Sequence, residues 1–433
     1  MKRILLFLLI VISVISFTTT HANVTLKEQV DQSADRIESK VIEWRRHFHQ
    51  HPELSNREFK TAKKVAEHLW NLGLEVQTGI AHTGVVGLLE GGKPGPVVAL
   101  RADMDALPVT ERVDVPFASK VRAEYNGQDV GVMHACGHDT HIAILMGVAE
   151  ILTSMKKDLK GSVKFIFQPA EEGAPRGEEG GARLMVAEGV LENPKVDVIF
   201  GLHIWALMEV GTIGYRPEGA MASSDGLRIT VKGKQTHGST PWTGVDPITV
   251  SAQIIMGLQT VISRQTELTE DAAVITIGSI HGGIRSNIIP EQVEMIGTIR
   301  TLNTEMQDKI HEKIRLTVTK IAESAGAVAD VRISKDYPVT YNDPELTAMM
   351  LPSIKAAAGA ENVNLVNAIT GAEDFSFYQQ RIPGLYFFLG GMPKGKKPEE
   401  VAPHHSPDFY IDESSLKLGV RALSYLVLDY MEH

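Results

Sequence analysis

The residues best suited to chemistry crowd into one octapeptide, His134-Ala135-Cys136-Gly137-His138-Asp139-Thr140-His141, which holds the chain's only cysteine and three of its histidines. A thiolate and an imidazole two residues apart, on a turn ahead of a helical pattern, can point at one ion without long-range folding to join them. A metal site is the first reading, and a buried cysteine beside incidental histidines is the plain alternative. Further donors follow apolar runs. Asp103 and Asp105 lie just beyond 96–100, Glu171 and Glu172 beyond 163–167, His203 closes 196–202, and His404 and His405 lie along the loop after 384–389. Acids and histidines at successive strand ends sit where open α/β sheets bind their ligands, outside the carboxyl ends of the strands. Glu171 and Glu172 are adjacent and must point differently, which suits one to hold a metal and leaves the other for proton transfer.

The elements that must position these groups are legible as patterns. Residues 26–51 read as a helix ending at Pro52, and Ser55-Asn56-Arg57-Glu58 is a capping-box signature for a second helix through Leu72. His47, His49 and His51 alternate, so they do not share a helix face, and are read as structural. After the octapeptide, Ile142, Leu145, Met146, Ala149 and Leu152 predict a helix buried on one face. The run 384–389 predicts a strand with Gly390-Gly391 opening a loop, and 413–430 a closing helix. Between these halves the order is βαββαβ, that of a ferredoxin-like unit, which places an insertion at 219–335 between segments 23–218 and 336–433.

The whole chain bounds the possibilities. Its 433 residues, 43% hydrophobic and 22% charged, suffice for two domains with separate cores. A net charge of −10 with no basic run argues against nucleic acid or anionic membrane as partner. Met1-Lys2-Arg3, an apolar run 4–17 and Thr18-Thr19-Thr20-His21-Ala22 form a signal-peptide pattern over 1–22, too short to span a bilayer. Export to the periplasm or medium is expected, with the mature chain starting near Asn23. A lone thiol kept in an exported protein cannot pair within the chain and serves as a ligand or a nucleophile.

Seven segments together carry a resemblance: RADMDALP from Arg101, HACGHDTH from His134, QPAEEG from Gln168, GLH from Gly201, GTIRT from Gly297, GAEDF from Gly371 and HSPDF from His405. The chain resembles the peptidase M20 family, in the branch of aminoacylase-like amidohydrolases that includes hippurate and auxin-conjugate hydrolases. The resemblance implies an α/β metal-dependent hydrolase domain with a mostly parallel central sheet flanked by helices, plus the inserted ferredoxin-like unit as a lid and dimerisation domain. It implies two divalent ions, zinc or manganese with cobalt or nickel as alternatives, held by Cys136, His138, Glu172, His203 and His405. Glu171 matches the general base and Asp105 the carboxylate that orients the centre. His237 matches a lid histidine that stabilises the oxyanion from its own or the partner subunit, and Asn287 a lid position near substrate. Arg285 is a candidate for the substrate carboxylate. The implied reaction splits an N-acyl amino acid, a small molecule, into a carboxylic acid and a free amino acid, in a homodimer with no membrane attachment of the mature form.

Two departures stand out. Trp242 occupies a position where relatives often carry histidine, and His404 competes with His405, although only His405 keeps the register to Ser406-Pro407. His134 and His141 have no implied ligand role. The competing functions are a dipeptidase or carboxypeptidase on the same scaffold, an exported binding protein without catalysis, and a hydrolase whose Cys136 is a nucleophile activated by His138 or His134. No motif specifies the acyl group or the amino acid.

Overall fold

The strands Lys93–Asp103, Lys160–Gln168 and Gly384–Met392 each contain an apolar run buried on both faces, as strands covered by helices on each side must be. They form the middle of an eight-stranded sheet ordered Glu75–Ile80, Gly84–Glu90, Lys160–Gln168, Lys93–Asp103, Val198–Glu209, Gly384–Met392, Ile213–Tyr215 and Val363–Leu365. The sheet is parallel from Lys160–Gln168 to Gly384–Met392 and antiparallel on its Glu75 side. The computed structural model describes residues 24–433, so the expected signal segment 1–22 lies outside the described residues.

Strand register sets the level of the site. Asp103 pairs with Gln168 and Arg101 with Gly201, so Asp103, the turn after Gln168 and His203 reach one edge of the parallel strands together. His203 does not close its strand as the sequence predicted. The strand runs on to Glu209 because Gly384–Met392 continues beside it, with Phe388 opposite His203. Gly390 and Gly391 likewise stay in the strand instead of opening a loop. At Gly390 a Cβ would come within 1.9 Å of the Glu209 carbonyl oxygen, so the close pairing itself requires glycine.

Alternate residues of the sheet face two cores: Val98 and Leu100 pack with Ile144 and Leu423 on one face, Ala99 and Ile166 with Met185 and Phe375 on the other. The helix His138–Ser154 begins earlier than its apolar spacing predicted and is buried nearly all round, not on one face. It lies between the sheet and the helices Leu26–Gln50 and Leu416–Tyr430, so no side is left for water.

The predicted capping box at Ser55–Glu58 does not form. The helix Phe59–Asn71 is preceded by Glu58 without a side-chain cap, and its Lys60 and Thr61 N–H groups donate to Glu53 instead, each at 2.9 Å to Oε2. Ser55 and Glu58 turn to other partners.

Residues 224–337 build a second sheet, ordered Ala273–Gly282, Gln292–Thr301, Ser224–Lys232 and Val328–Tyr337, antiparallel throughout, with the helices Pro247–Gln265 and Thr304–Ser324. This is the βαββαβ order. Its core is its own, with Leu227, Ile229, Ile254, Leu258, Met295 and Ile314 buried together. A short ladder of Glu218–Met221 with Thr340–Asn342 joins the two chain crossings. Among the described residues no helix is long and apolar enough to cross a membrane.

Candidate metal centre

Gly137 turns the chain between Cys136 and His138. Its φ of +92° is left-handed, and a Cβ there would stand 2.4 Å from Ile204 Cγ2, so only glycine fits at the start of the helix His138–Ser154. The turn brings Cys136 Sγ to 3.4 Å from His203 Nε2 and 3.3 Å from His405 Nε2. His405 Nε2 stands 3.1 Å from Glu172 Oε1, which is 4.0 Å from His138 Nε2. The five residues proposed as ligands from the sequence are thus brought together. Cys136 belongs to two compact sets, one with His138 and His203, the other with Glu172 and His405.

Hydrogen bonds decide which ring nitrogens are available. His138 Nδ1–H donates to the Asp105 carbonyl at 2.8 Å, and His203 Nδ1–H to the Ile204 carbonyl at 2.6 Å, so each turns its Nε2 to the cluster. His138 Nε2 is buried without any hydrogen-bond partner, a position that a cation would satisfy. His141 has no nitrogen to spare, since Nδ1 meets Asp103 at 2.6 Å and Nε2 accepts the Ile204 N–H at 2.8 Å. His404 Nε2 accepts the Ala206 N–H at 3.0 Å, which puts the proton on the Nδ1 that faces Cys136 and favours His405 as the donor. His134 is buried, both nitrogens lack partners, and burial pushes its pKa down to about 3, so it is neutral.

The charge balance also calls for a cation. Burial opposes a charge on His138, but Asp103, Asp105 and Glu172 outweigh it and raise its pKa to about 10. Burial, then Glu172, Glu171 and Asp103, push the Cys136 thiol up. Burial, then Glu373, Glu172 and Asp374, push Glu171 well above the usual carboxylate range. The donor set of thiol, imidazoles and carboxylate, crowded by surplus negative charge, fits divalent metal.

Asp105 fills a positioning place. It accepts the Glu171 N–H on Oδ1 and the Glu172 N–H on Oδ2, both at 3.0 Å, and the Ser55 hydroxyl at 2.7 Å. Three supporting residues were missed in the sequence. Tyr337, at the end of the second sheet, donates to the Glu171 carbonyl at 2.7 Å. Glu373 bonds Arg101 at 2.9 Å and Tyr386 at 2.7 Å, and so helps surround Glu171 with carboxylates. Glu58 accepts the Ala170 N–H at 2.9 Å, and burial with nearby Asp105 raises its pKa to about 8. Only the GAEDF segment carried a signal for one of these.

A cavity of about 230 Å³ opens on the cluster, with Trp205, Met221 and Ile369 on its wall beside Glu171, Glu172 and His405. His237, Arg285 and Asn287 do not line it. His237 is exposed in a two-residue ladder with Ile288, and Gly238 N–H donates to the Asn287 carbonyl at 2.8 Å, so His237 and Asn287 are neighbours on the second sheet's periphery. Trp242 is exposed nearby in Pro241–Thr243.

A thermostable carboxypeptidase 2 of Saccharolobus solfataricus is 42% identical over 407 residues, covering 94% of this chain and 99% of the relative. An N-acetylcysteine deacetylase of Bacillus subtilis is 38% identical over 397 residues, 91% of this chain and 97% of the relative. The crystal structure of a dinuclear metal binding peptidase of the M20 family from Bacillus subtilis superposes with a TM-score of 0.77 at 36% identity, covering 92% of this chain and 99% of that one. The model of peptidase family M20/M25/M40 matches residues 99–429, and the chain is a hydrolase belonging to that family.

Proposed function

We propose that this protein hydrolyses the amide bond of N-acyl amino acids at a centre of two divalent ions held by Cys136, His138, Glu172, His203 and His405. The observation that carries the reading is the convergence of these donors on the buried Nε2 of His138, which has no hydrogen-bond partner. Divalent metal held by these residues would lower the pKa of water and polarise the scissile carbonyl. Glu171, on the cavity wall beside Glu172, takes the proton of the attacking water and returns it to the leaving amine. Asp105 keeps Glu171 and Glu172 in place through their amides. Thiolate and imidazole favour zinc, while the carboxylate also accommodates manganese, cobalt or nickel.

A peptidase reading is favoured by the 42% match to a carboxypeptidase. An unblocked dipeptide would bring a free amine that needs a spare carboxylate. Glu373, on the cavity wall, is already engaged by Arg101 and Tyr386, which supports the acylated substrate. The deciding experiment reconstitutes metal-free protein with each ion and assays acetyl, benzoyl and indoleacetyl amino acids beside unblocked dipeptides. Faster cleavage of the dipeptides overturns the acyl reading. Full activity after chelation, abolished by thiol alkylation, would instead establish Cys136 as a nucleophile.

The reading includes a homodimer through residues 219–335, in which His237, Asn287 and Arg285 reach substrate from the lid, and export directed by 1–22. Light scattering and sequencing of the mature N-terminus test these two points.

A further inference from the structure

The segment Ser55-Asn56-Arg57-Glu58 caps no helix, yet its side chains are committed. Glu58 is fully buried, and its Oε1 accepts two backbone N–H groups, from Ala170 at 2.9 Å and from Asn56 at 3.0 Å. Both donors are non-glycine residues in the left-handed region, Ala170 at φ 52° and Asn56 at φ 58°. Glu58 Oε2 accepts the Thr83 hydroxyl at 2.5 Å, which fixes the carboxyl plane. The next two amides along the chain, those of Glu171 and Glu172, go to Asp105, whose Oδ2 is also bonded by Ser55.

Three consecutive N–H groups, 170 to 172, therefore end on two buried carboxyl groups, and one short segment secures both. A left-handed alanine costs about 1 kcal/mol and persists only where its surroundings hold it. We propose that Glu58 is a positioning residue: it holds the turn at Ala170 in the conformation that aims Glu171 and Glu172 into the metal centre. The inference rests on the proposed roles of Glu171 as base and Glu172 as ligand. Glu58 touches neither substrate nor metal, and acts through the backbone alone.

The test uses full-length, metal-loaded protein and an N-acyl amino acid that the wild type cleaves. Glu58→Ala is expected to lower kcat by about 100-fold, the scale of a misplaced catalytic group, with KM within about threefold. Glu58→Gln keeps the carbonyl oxygen that receives both amides and is expected to retain most of kcat. Adding Ala170→Gly to Glu58→Ala relieves the left-handed strain and is expected to recover about tenfold. Hydrogen exchange of the amides 170 to 172 is expected to quicken in Glu58→Ala and stay slow in Glu58→Gln. A role confined to stability would give no recovery with glycine and equal losses in the alanine and glutamine variants, and either result overturns the proposal. So does a Glu58→Ala enzyme with full metal content and kcat within threefold of wild type. Should Glu58→Ala fail to fold, Glu58→Asp withdraws the oxygen by one methylene: lowered kcat supports the proposal and an unchanged kcat overturns it. If the wild type cleaves no N-acyl amino acid, the functional reading fails, while the exchange measurement still decides what Glu58 does.

Discussion

His405 Nε2 lies 3.3 Å from Cys136 Sγ, although 269 positions of sequence separate them. Without metal the thiol is held protonated by burial and by Glu172, Glu171 and Asp103. A ligating sulfur must be a thiolate, so metal uptake displaces a proton. Raising the pH removes the competing protons, and affinity should rise about tenfold per pH unit for each proton displaced, one from the Cys136 thiol and one from His138 below its pKa of about 10. Competition titrations at several pH values, with proton release in weak buffer, check this. Affinity independent of pH with no release would remove Cys136 from the ligand set, as would unchanged metal content in Cys136→Ser.

Glu171→Gln keeps the shape of the side chain and the Asp105 contact to its N–H but cannot take a proton. Metal content should be unchanged, and kcat should fall by about two to four orders of magnitude. Metal analysis alongside steady-state kinetics makes the measurement, and near-normal turnover would end the assignment.

His237 does not line the cavity in its own chain. His237→Ala should lower kcat with metal content intact. In the proposed homodimer, mixing His237→Ala with Glu171→Gln subunits should regain activity, because one of the two sites would then pair an intact Glu171 with an intact His237 across the interface. No regain in the mixture would place the histidine within its own subunit or outside the reaction.

Asp139 pairs with buried Arg45 at 2.8 Å and with His49 at 2.9 Å. Burial opposes its charge, but Arg45 and His49 outweigh it and hold its carboxyl well below the usual range. A depressed pKa contributes stability that is complete above the unfolded aspartate value of about 4 and is lost as pH falls below it. Asp139→Asn removes one of the two carboxylates that face buried Arg45 and leaves Glu413 at 3.3 Å as its remaining acidic partner, and should destabilise by about 1 to 3 kcal/mol at neutral pH. Chemical denaturation against pH reads both effects. A variant as stable as wild type would deny the pair that role.

The sequence by itself determined which side chains could ligate metal and roughly where. Cys136 and His138 are two residues apart, so their joint use is local chemistry, and acids and histidines near buried strand ends inherit their place from the sheet. The βαββαβ order of residues 224–337 was legible for the same reason, since hydrophobic period depends on neighbours a few residues away. Only the tertiary structure decided the rest. His203 lies inside its strand because a distant strand, Gly384–Met392, continues beside it. His404 loses its claim because a remote amide, that of Ala206, donates to its Nε2 and so puts the proton on the Nδ1 that faces Cys136. Ser55 and Glu58 matched a local capping pattern, but partners at Asp105, Thr83 and Ala170 outbid it. Hydrogen-bond partners far apart in sequence choose tautomers, strand limits and buried acids, and they meet only when the chain has folded.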